Sequence, residues 1–535
     1  MTETPIPIES SASPQPVTAD PTSGRDRIFL FVALLFLAGT IWWVARPSGI
    51  QRYHLIITGV GKGRITPFIS RFDPYKDKKM GGAEFVSARI SELISGFKGE
   101  ACNVVSLGNE LSGSPETYFT KGEAAIEALN SYRLDAMLAG NIDFSFGTNR
   151  LAELAGKARF PFLAANVTEE GSGQPPSWLN SERIFSHGSN LHMAFIGICP
   201  PKTPVLTAKG NVSGLSFVHP GPAIASRITA LRTGGADIVV LLTLYDRGKL
   251  TPDEWASLSH LKPDIILMID FNAEAPAPMM LDGILVKTVN GYNQGSEIDL
   301  LHLDLEPGSP RIASFSSTRL PILSDEITPD PEVASAVKSV AAKIEQMKSE
   351  RVVDFASDFQ REYNQECPIG NLVADSMRFL FKTDLALQNS GGIQSNIRKG
   401  SFTLGDLYDV LPFDNDVVAI DLTGQDLLEL LTLSSSLKRG CLQISGGSYV
   451  FSNRNPDDFE LKSVTIGGAP LVATRTYRIT TNSFLADGGD EYRQFKHGRN
   501  LQIGPQQREV VRSYLRLIGA STSVSLATTG RIIRE

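Results

Sequence analysis

The stretch from Pro368 to Leu427, PIGNLVADSMRFLFKTDLALQNSGGIQSNIRKGSFTLGDLYDVLPFDNDVVAIDLTGQDL, carries the punctuation that decides how this chain is read. Its opening predicts a helix with Val373, Met377 and Leu380 on one face. The apolar run LALQ then leads into Asn389, Ser390, Gly391 and Gly392. Paired glycines at a strand end let backbone approach a ligand where a side chain would block it. Taken alone, a glycine turn without a ligand is an equal reading. LPFDN puts Phe413 in a loop near Asn415, and Thr423-Gly424 before QDLLELL predicts a turn into a second helix. Further on, NSFLADGGDEY supplies Phe484 and Asp490 around another Gly-Gly pair. Two loop aromatics can sandwich a flat ring, and a carboxylate can accept hydrogen bonds from two neighbouring hydroxyls.

Working outward, 535 residues exceed what one hydrophobic core supports, so two large domains are expected. Upstream, short apolar runs (HLIITGV, CNVVSLG, ADIVVLLTL, PDIILMID) alternate with helix-like stretches, which predicts a layered α/β domain over 50–329. Residues 330–351 (DPEVASAVKSVAAKIEQMKSER) set Val333, Val337, Val340, Ile344 and Met347 on one helical face and read as a linker helix. The second domain then occupies 352–535. At the other end, residues 1–27 are rich in Pro, Ser and Thr and read as a disordered tail. Ile28 to Ala45 is an uncharged run of 18 residues ending close to Trp42 and Trp43. As a helix it spans roughly 27 Å, enough for one membrane crossing, with the tryptophans at interfacial depth. A cleavable signal peptide is the competing reading, but no A-x-A site follows the run.

Four motifs, GNLVAD, NSGGI, LPFDN and FLADGGD, occur in an order that resembles the nucleotide-binding C-terminal domain of the 5′-nucleotidase family over most of residues 355–500. That resemblance implies an N-terminal metallophosphoesterase-like β-sandwich, a linker helix and a C-terminal α/β domain. It also implies that Phe413 and Phe484 stack a base, Asp490 holds the ribose and Asn389 contacts the nucleoside. Asn415 would support them, with Gly391 and Gly392 giving access. One position departs: the arginine that follows G-G-I in the family is Gln394 here. A neutral amide cannot replace a bidentate phosphate donor, which narrows the expected ligand from nucleotide to nucleoside-like. Arg361, in QREYNQEC, is a nearby cation of unassigned role.

The family's first domain holds two divalent metals through T-N-D-x-H-G-R, a G-D, a G-N-H-E-F-D, a later histidine and a final G-H-x-H. In this chain ITGVGKGRI puts Val60 at the aspartate and Lys62 at the histidine. Asn109 stands for the bridging aspartate and Leu244 for a ligand histidine. AGNIDFSFG keeps Asn141 but has Ile142 for the catalytic histidine and Ser145 for the aspartate that orients it. Asn109, Asn141, Asp270 and Asn272 are the residual metal candidates, and hard cations need more anionic donors than these. The metal pair is therefore expected to be lost or weakened, with no other cofactor implied. The leading expectation is a catalytically impaired protein; an active phosphohydrolase with an atypical metal site and a ligand-free scaffold are the alternatives. GVGKGR lacks the spacing of a phosphate-binding P-loop and reads as a relic turn of the lost motif.

A net charge of -7 gives no basic surplus for a nucleic-acid polymer, so a nucleoside-like small molecule, a membrane through 28–45 and an unspecified protein are the partners in view. Cys102, Cys199, Cys367 and Cys441 form no C-x-x-C, and a Cys367–Cys441 bridge stays open. The seven histidines are scattered singly. The family resemblance, with the apolar run, implies a single-pass protein whose globular part lies outside the cytoplasm.

Overall fold

A computed structural model describes residues 50–535 except 71–73, 189–190, 272–276 and 307–311. The tail and the apolar run 28–45 lie outside the described residues, as does Asn272. Among the described residues no helix is long and apolar enough to cross a membrane.

The first domain is built on two sheets packed face to face. One has seven strands, with Gln51–Thr58 in its interior between the antiparallel Glu297–Leu305 and the parallel Ala101–Ser106. The other has six, including the parallel run Leu191–Ile198, Ile238–Asp246, Ile265–Asp270 and Ile284–Asn290. These strands read as continuous Val/Ile/Leu runs because both faces are covered. Alternate residues go to opposite sides. Leu55, Ile57 and Val105 meet Phe195, Val240 and Leu267 between the sheets. Ile56 and Val104 face outward onto Val86 and Ile90 of the helix Ala83–Gly96. On the far side Ala194, Val239 and Ile266 pack on Ile224 and Ile228 of the helix Pro222–Thr233. Parallel pairing of Thr58 with Ser106 and of Ser106 with Met137 makes these chains leave the sheet at one edge. Loops 59–63, 107–114 and 139–142 therefore cluster there, where open parallel sheets place their sites.

A helix at Pro331–Lys348 joins the domains. Asp330 caps it, accepting from the amides of Glu332 (3.1 Å) and Val333 (3.2 Å), with Pro331 in the first turn, where no N–H is missed. Val333 and Val337 enter the core of the first domain, while Ile344 enters that of the second.

The second domain centres on a mixed five-stranded sheet, in order Leu442–Ser445, Leu385–Asn389, Thr476–Asn482, Asp416–Thr423, Arg499–Gln506. The helix Pro368–Phe381 covers one face through Val373 and Met377, both fully buried. Leu380, expected on that same face, is 37% exposed. The helix ends at Phe381, whose ring would meet a Cβ on Gly504 of the sheet at 2.8 Å, and the left-handed Lys382 (φ 52°) follows, so Phe381 rather than Leu380 takes the last covered position. Cys367 and Cys441 are buried free thiols.

Candidate functional site

In the second domain the strand Leu385–Asn389 runs straight into the tight turn Ser390–Gly392. Asn389 is held rigidly. Its Nδ2 donates to Asp490 Oδ2 (2.9 Å), and its Oδ1 accepts from Asn482 Nδ2 (3.0 Å) and Gln388 Nε2 (3.2 Å). Asp490, left-handed at φ 53°, is thus joined to Asn389 across 101 residues of sequence. Phe484 packs against Gly489, where a Cβ would come within 2.5 Å of its ring. Phe484 and Phe413 are 43% and 49% exposed. Asn415 accepts from the Gln507 amide through its backbone carbonyl (2.8 Å).

Sequence reading missed Tyr363. Its ring lies 3.6 Å from where a Gly391 Cβ would sit, and Asp490 Oδ2 is 3.9 Å from the same point. Arg361 donates from a guanidinium nitrogen to the Ile393 carbonyl (3.0 Å), while the Gln394 amide folds back onto the Gly391 carbonyl (2.6 Å). The glycine turn thus has an arginine beside it, supplied by a segment about 30 residues earlier rather than by the position after G-G-I. Two exposed rings, a carboxylate fixed by an amide and a nearby guanidinium suit a flat heterocycle bearing vicinal hydroxyls.

Across from this pocket, the strand ends of the first domain are tied together by Asp143. Its Oδ1 accepts from the amides of Glu110 (2.8 Å) and Leu111 (2.9 Å), and its Oδ2 from those of Asn109 (2.9 Å) and Gly140 (2.8 Å). Burial pushes this carboxyl up to about 6, opposed by those four amides. Asn109 is itself left-handed (φ 56°). Its Oδ1 accepts from the Ile142 amide (3.0 Å) and its Nδ2 reaches Asn141 Oδ1 (3.4 Å). Ser145 donates to the Ile142 carbonyl (2.7 Å). Val60 (φ 56°) is hydrogen-bonded through its amide to Gly108 (2.8 Å), and the Lys62 amide to Asn109 (2.9 Å).

Val60 is 2% and Leu244 6% exposed, and both belong to the inter-sheet core with Ile269. A Cβ added to Gly140 would lie 2.6 Å from Leu244 Cδ1 and 2.2 Å from Asn109 Oδ1, which puts the leucine against the Asn109–Gly140 contact. Asp270 is fully buried, and Phe271 after it packs on the same cluster. The glycines of GVGKGR have a packing reason: a Cβ on Gly61 would meet Glu110 Oε2 at 2.2 Å, and one on Gly63 the Thr117 methyl at 2.0 Å. Burial lifts Glu110 itself to about 8.

The two regions face each other. Burial lowers the Lys62 ammonium, and Asp414, next to Phe413, works against that shift. On the other side Lys249 lies 5.5 Å over the Phe271 ring. Burial raises the Asp487 carboxyl while Lys496 and Lys249 hold it down.

Residues 340–497 match the family model described as "5'-nucleotidase, C-terminal domain". Over 493 residues the chain is 23% identical to the 5'-nucleotidase of Vibrio vulnificus, covering 83% of this chain and 88% of that protein. Residues 340–497 thus carry a 5′-nucleotidase C-terminal domain. It is also 25% identical over 463 residues to the endonuclease YhcR of Bacillus subtilis, but spans only 37% of that relative's length. The NAD nucleotidase of Haemophilus influenzae shares the fold, with a TM-score of 0.66 at 16% identity, over 91% of this chain and 100% of that one.

The resemblance of the motifs implies two divalent cations at the sheet edge just described, and the side chains present there do not fit them. Val60 and Leu244 offer hydrocarbon, Asn109 spends both amide atoms on neighbours, and Lys62 brings a like charge. Among the described residues no group of three His, Cys, Asp or Glu comes together as a metal site.

Proposed function

We propose that this chain is a non-catalytic member of the 5′-nucleotidase family that binds a nucleoside-like ligand through its second domain. The observation that carries the proposal is the burial of Val60 and Leu244 in the inter-sheet core, at the two positions where the family's motifs put metal-binding side chains. Hydrocarbon in place of a carboxylate and an imidazole donor removes the source of Lewis-acid activation and of a metal-bound nucleophile. Ligand binding is supported by the exposed Phe413 and Phe484 and by the Asn389–Asp490 pair. The run 28–45 supports a single-pass anchor, with the two domains outside the cytoplasm. Extraction of the native membranes with alkaline carbonate tests the anchor: release into the soluble fraction refutes it.

The function is tested on the purified full-length protein by metal analysis, AMP hydrolysis with added manganese or zinc, and adenosine titration. The expected result is no stoichiometric metal, no hydrolysis above a heat-treated control, and adenosine binding that Phe413→Ala weakens at least about tenfold, as loss of a stacking ring does. Hydrolysis abolished by Asn141→Ala would instead establish a phosphohydrolase with an atypical metal site. No adenosine binding at millimolar concentration would leave the scaffold reading.

A further inference from the structure

Arg508 is among the most deeply buried side chains of the molecule, 1% exposed, and it lies outside every motif of the pocket. One guanidinium nitrogen donates to the carbonyls of Leu411 (2.8 Å) and Phe413 (2.9 Å), and the other terminal nitrogen pairs with Asp414. All three partners belong to the loop that presents Phe413. The guanidinium carbon lies 4.3 Å from the ring centre of Tyr408 and 4.8 Å from that of Tyr118, two rings that are themselves neighbours with centres 6.2 Å apart. Tyr408 is in the second domain, on the short helix Leu404–Val410. Tyr118 comes from the first domain, on the helix Pro115–Thr120 that follows the Asn109 loop. Its hydroxyl donates to Glu509 (2.6 Å), the neighbour of Arg508. Burial and Glu509 both raise the pKa of this phenol, so it stays a neutral donor.

We propose that Arg508 is the positioning residue for the Phe413 wall of the ligand pocket, and that Tyr118 of the first domain holds it in place, so that ligand affinity depends on how the two domains are docked. Four of the guanidinium's partners, Leu411, Phe413, Asp414 and Tyr408, belong to the second domain, and Tyr118 adds a fifth from the first. The guanidinium charge is taken out of water and compensated by one carboxylate, two carbonyls and two aromatic faces. One of those faces, with the hydrogen bond to Glu509, leaves when the domains separate. The loop 411–414 then loses the restraint that sets the angle of Phe413. In the docked state, the segment that carries Asn109 and the loop that carries Phe413 are linked through nine residues, 110–118, and one ring contact. The ligand-dependent part of this proposal rests on the nucleoside reading above.

The test uses the full-length protein, with adenosine as probe, and two readouts: the dissociation constant and the amide hydrogen exchange of residues 411–415. Tyr118→Leu keeps apolar volume but removes the ring over Arg508 and the phenol; it is expected to weaken adenosine about tenfold and to speed exchange in 411–415, in the other domain. Tyr118→Phe loses only the bond to Glu509 and is expected to give about a threefold change in both. Wild-type affinity in Tyr118→Leu, or unchanged exchange in 411–415, overturns the proposal. Should Tyr118→Leu fail to fold, unchanged affinity and exchange in Tyr118→Phe overturn it equally. If the wild type binds no adenosine, the nucleoside reading falls, and the exchange of 411–415 alone decides the positioning role.

Discussion

Replacing Asp143 is expected to be among the most damaging single substitutions in the first domain. The carboxylate is 2% exposed and accepts four backbone amides, two on each oxygen, from loops 108–111 and 140. At pH 7.5 it is ionised, since burial raises it only to about 6. In Asp143→Ala all four amides lose their acceptor. A buried donor left unsatisfied costs about 1–3 kcal/mol, and water entering the space of the lost carboxylate recovers part of that. The expected loss is therefore at least about 4 kcal/mol. Asp143→Asn keeps one oxygen for two amides and turns an NH2 group towards the other two, so about 2–3 kcal/mol is expected. Urea unfolding of the purified protein at pH 7.5 measures both. A loss below about 1 kcal/mol for Asp143→Ala would refute the argument that this carboxylate organises the edge.

His302 gives a pH dependence: burial first, then His54 and Arg52, lower it to about 4, against the ordinary 6.5 of the unfolded chain. Below pH 6.5 the unfolded state takes up a proton that the folded state refuses until about pH 4. Stability should therefore fall across that window, by up to about 3 kcal/mol, and His302→Phe should flatten the slope in urea titrations at pH 7.5, 6 and 4.5. Lys287 and Asp299, paired at 2.6 Å and 4% and 1% exposed, form a buried ion pair with Arg319 as a further partner. Lys287→Met should cost about 2–4 kcal/mol in the same assay, and a neutral result would show that Arg319 alone satisfies Asp299. In Gly392→Ala the new methyl would lie 2.4 Å from Gln388 Nε2 and 3.0 Å from Asn389 Oδ1, forcing Asn389 away from Asp490. Adenosine binding should fall at least about tenfold, and unchanged affinity would remove Asn389 from the pocket.

Much of the second domain was legible because its glycines, aromatics and carboxylates fall in short runs whose order survives without three-dimensional information. The edge of the first domain was legible as a set of replacements: Val60 and Ser145 stand where the resemblance implies aspartates, Ile142 and Leu244 where it implies histidines. What organises the edge in their place was not. Asp143 reads in sequence as one acidic residue in a loop, and only the meeting of two loops shows that it carries four amides. Tyr363 and Arg361 lie about 30 residues from the glycine turn they approach, and Tyr118 lies 391 from Glu509. Periodicity reports which face of an element is covered, not which distant element covers it. Leu380 shows the same limit locally: its spacing puts it on the face of Met377, but Phe381 is the residue that packs on the core there.

The linker helix and the helix Pro115–Thr120 have a consequence for cooperativity. Phe119 and Ile344 are counted in the core of the second domain although the first lies well before the linker and the second within it. A cut between the domains would strip both, along with the ring over Arg508, and open an apolar wound on the C-terminal half. The chain should therefore unfold as one unit, in a single transition, rather than as two domains that melt independently.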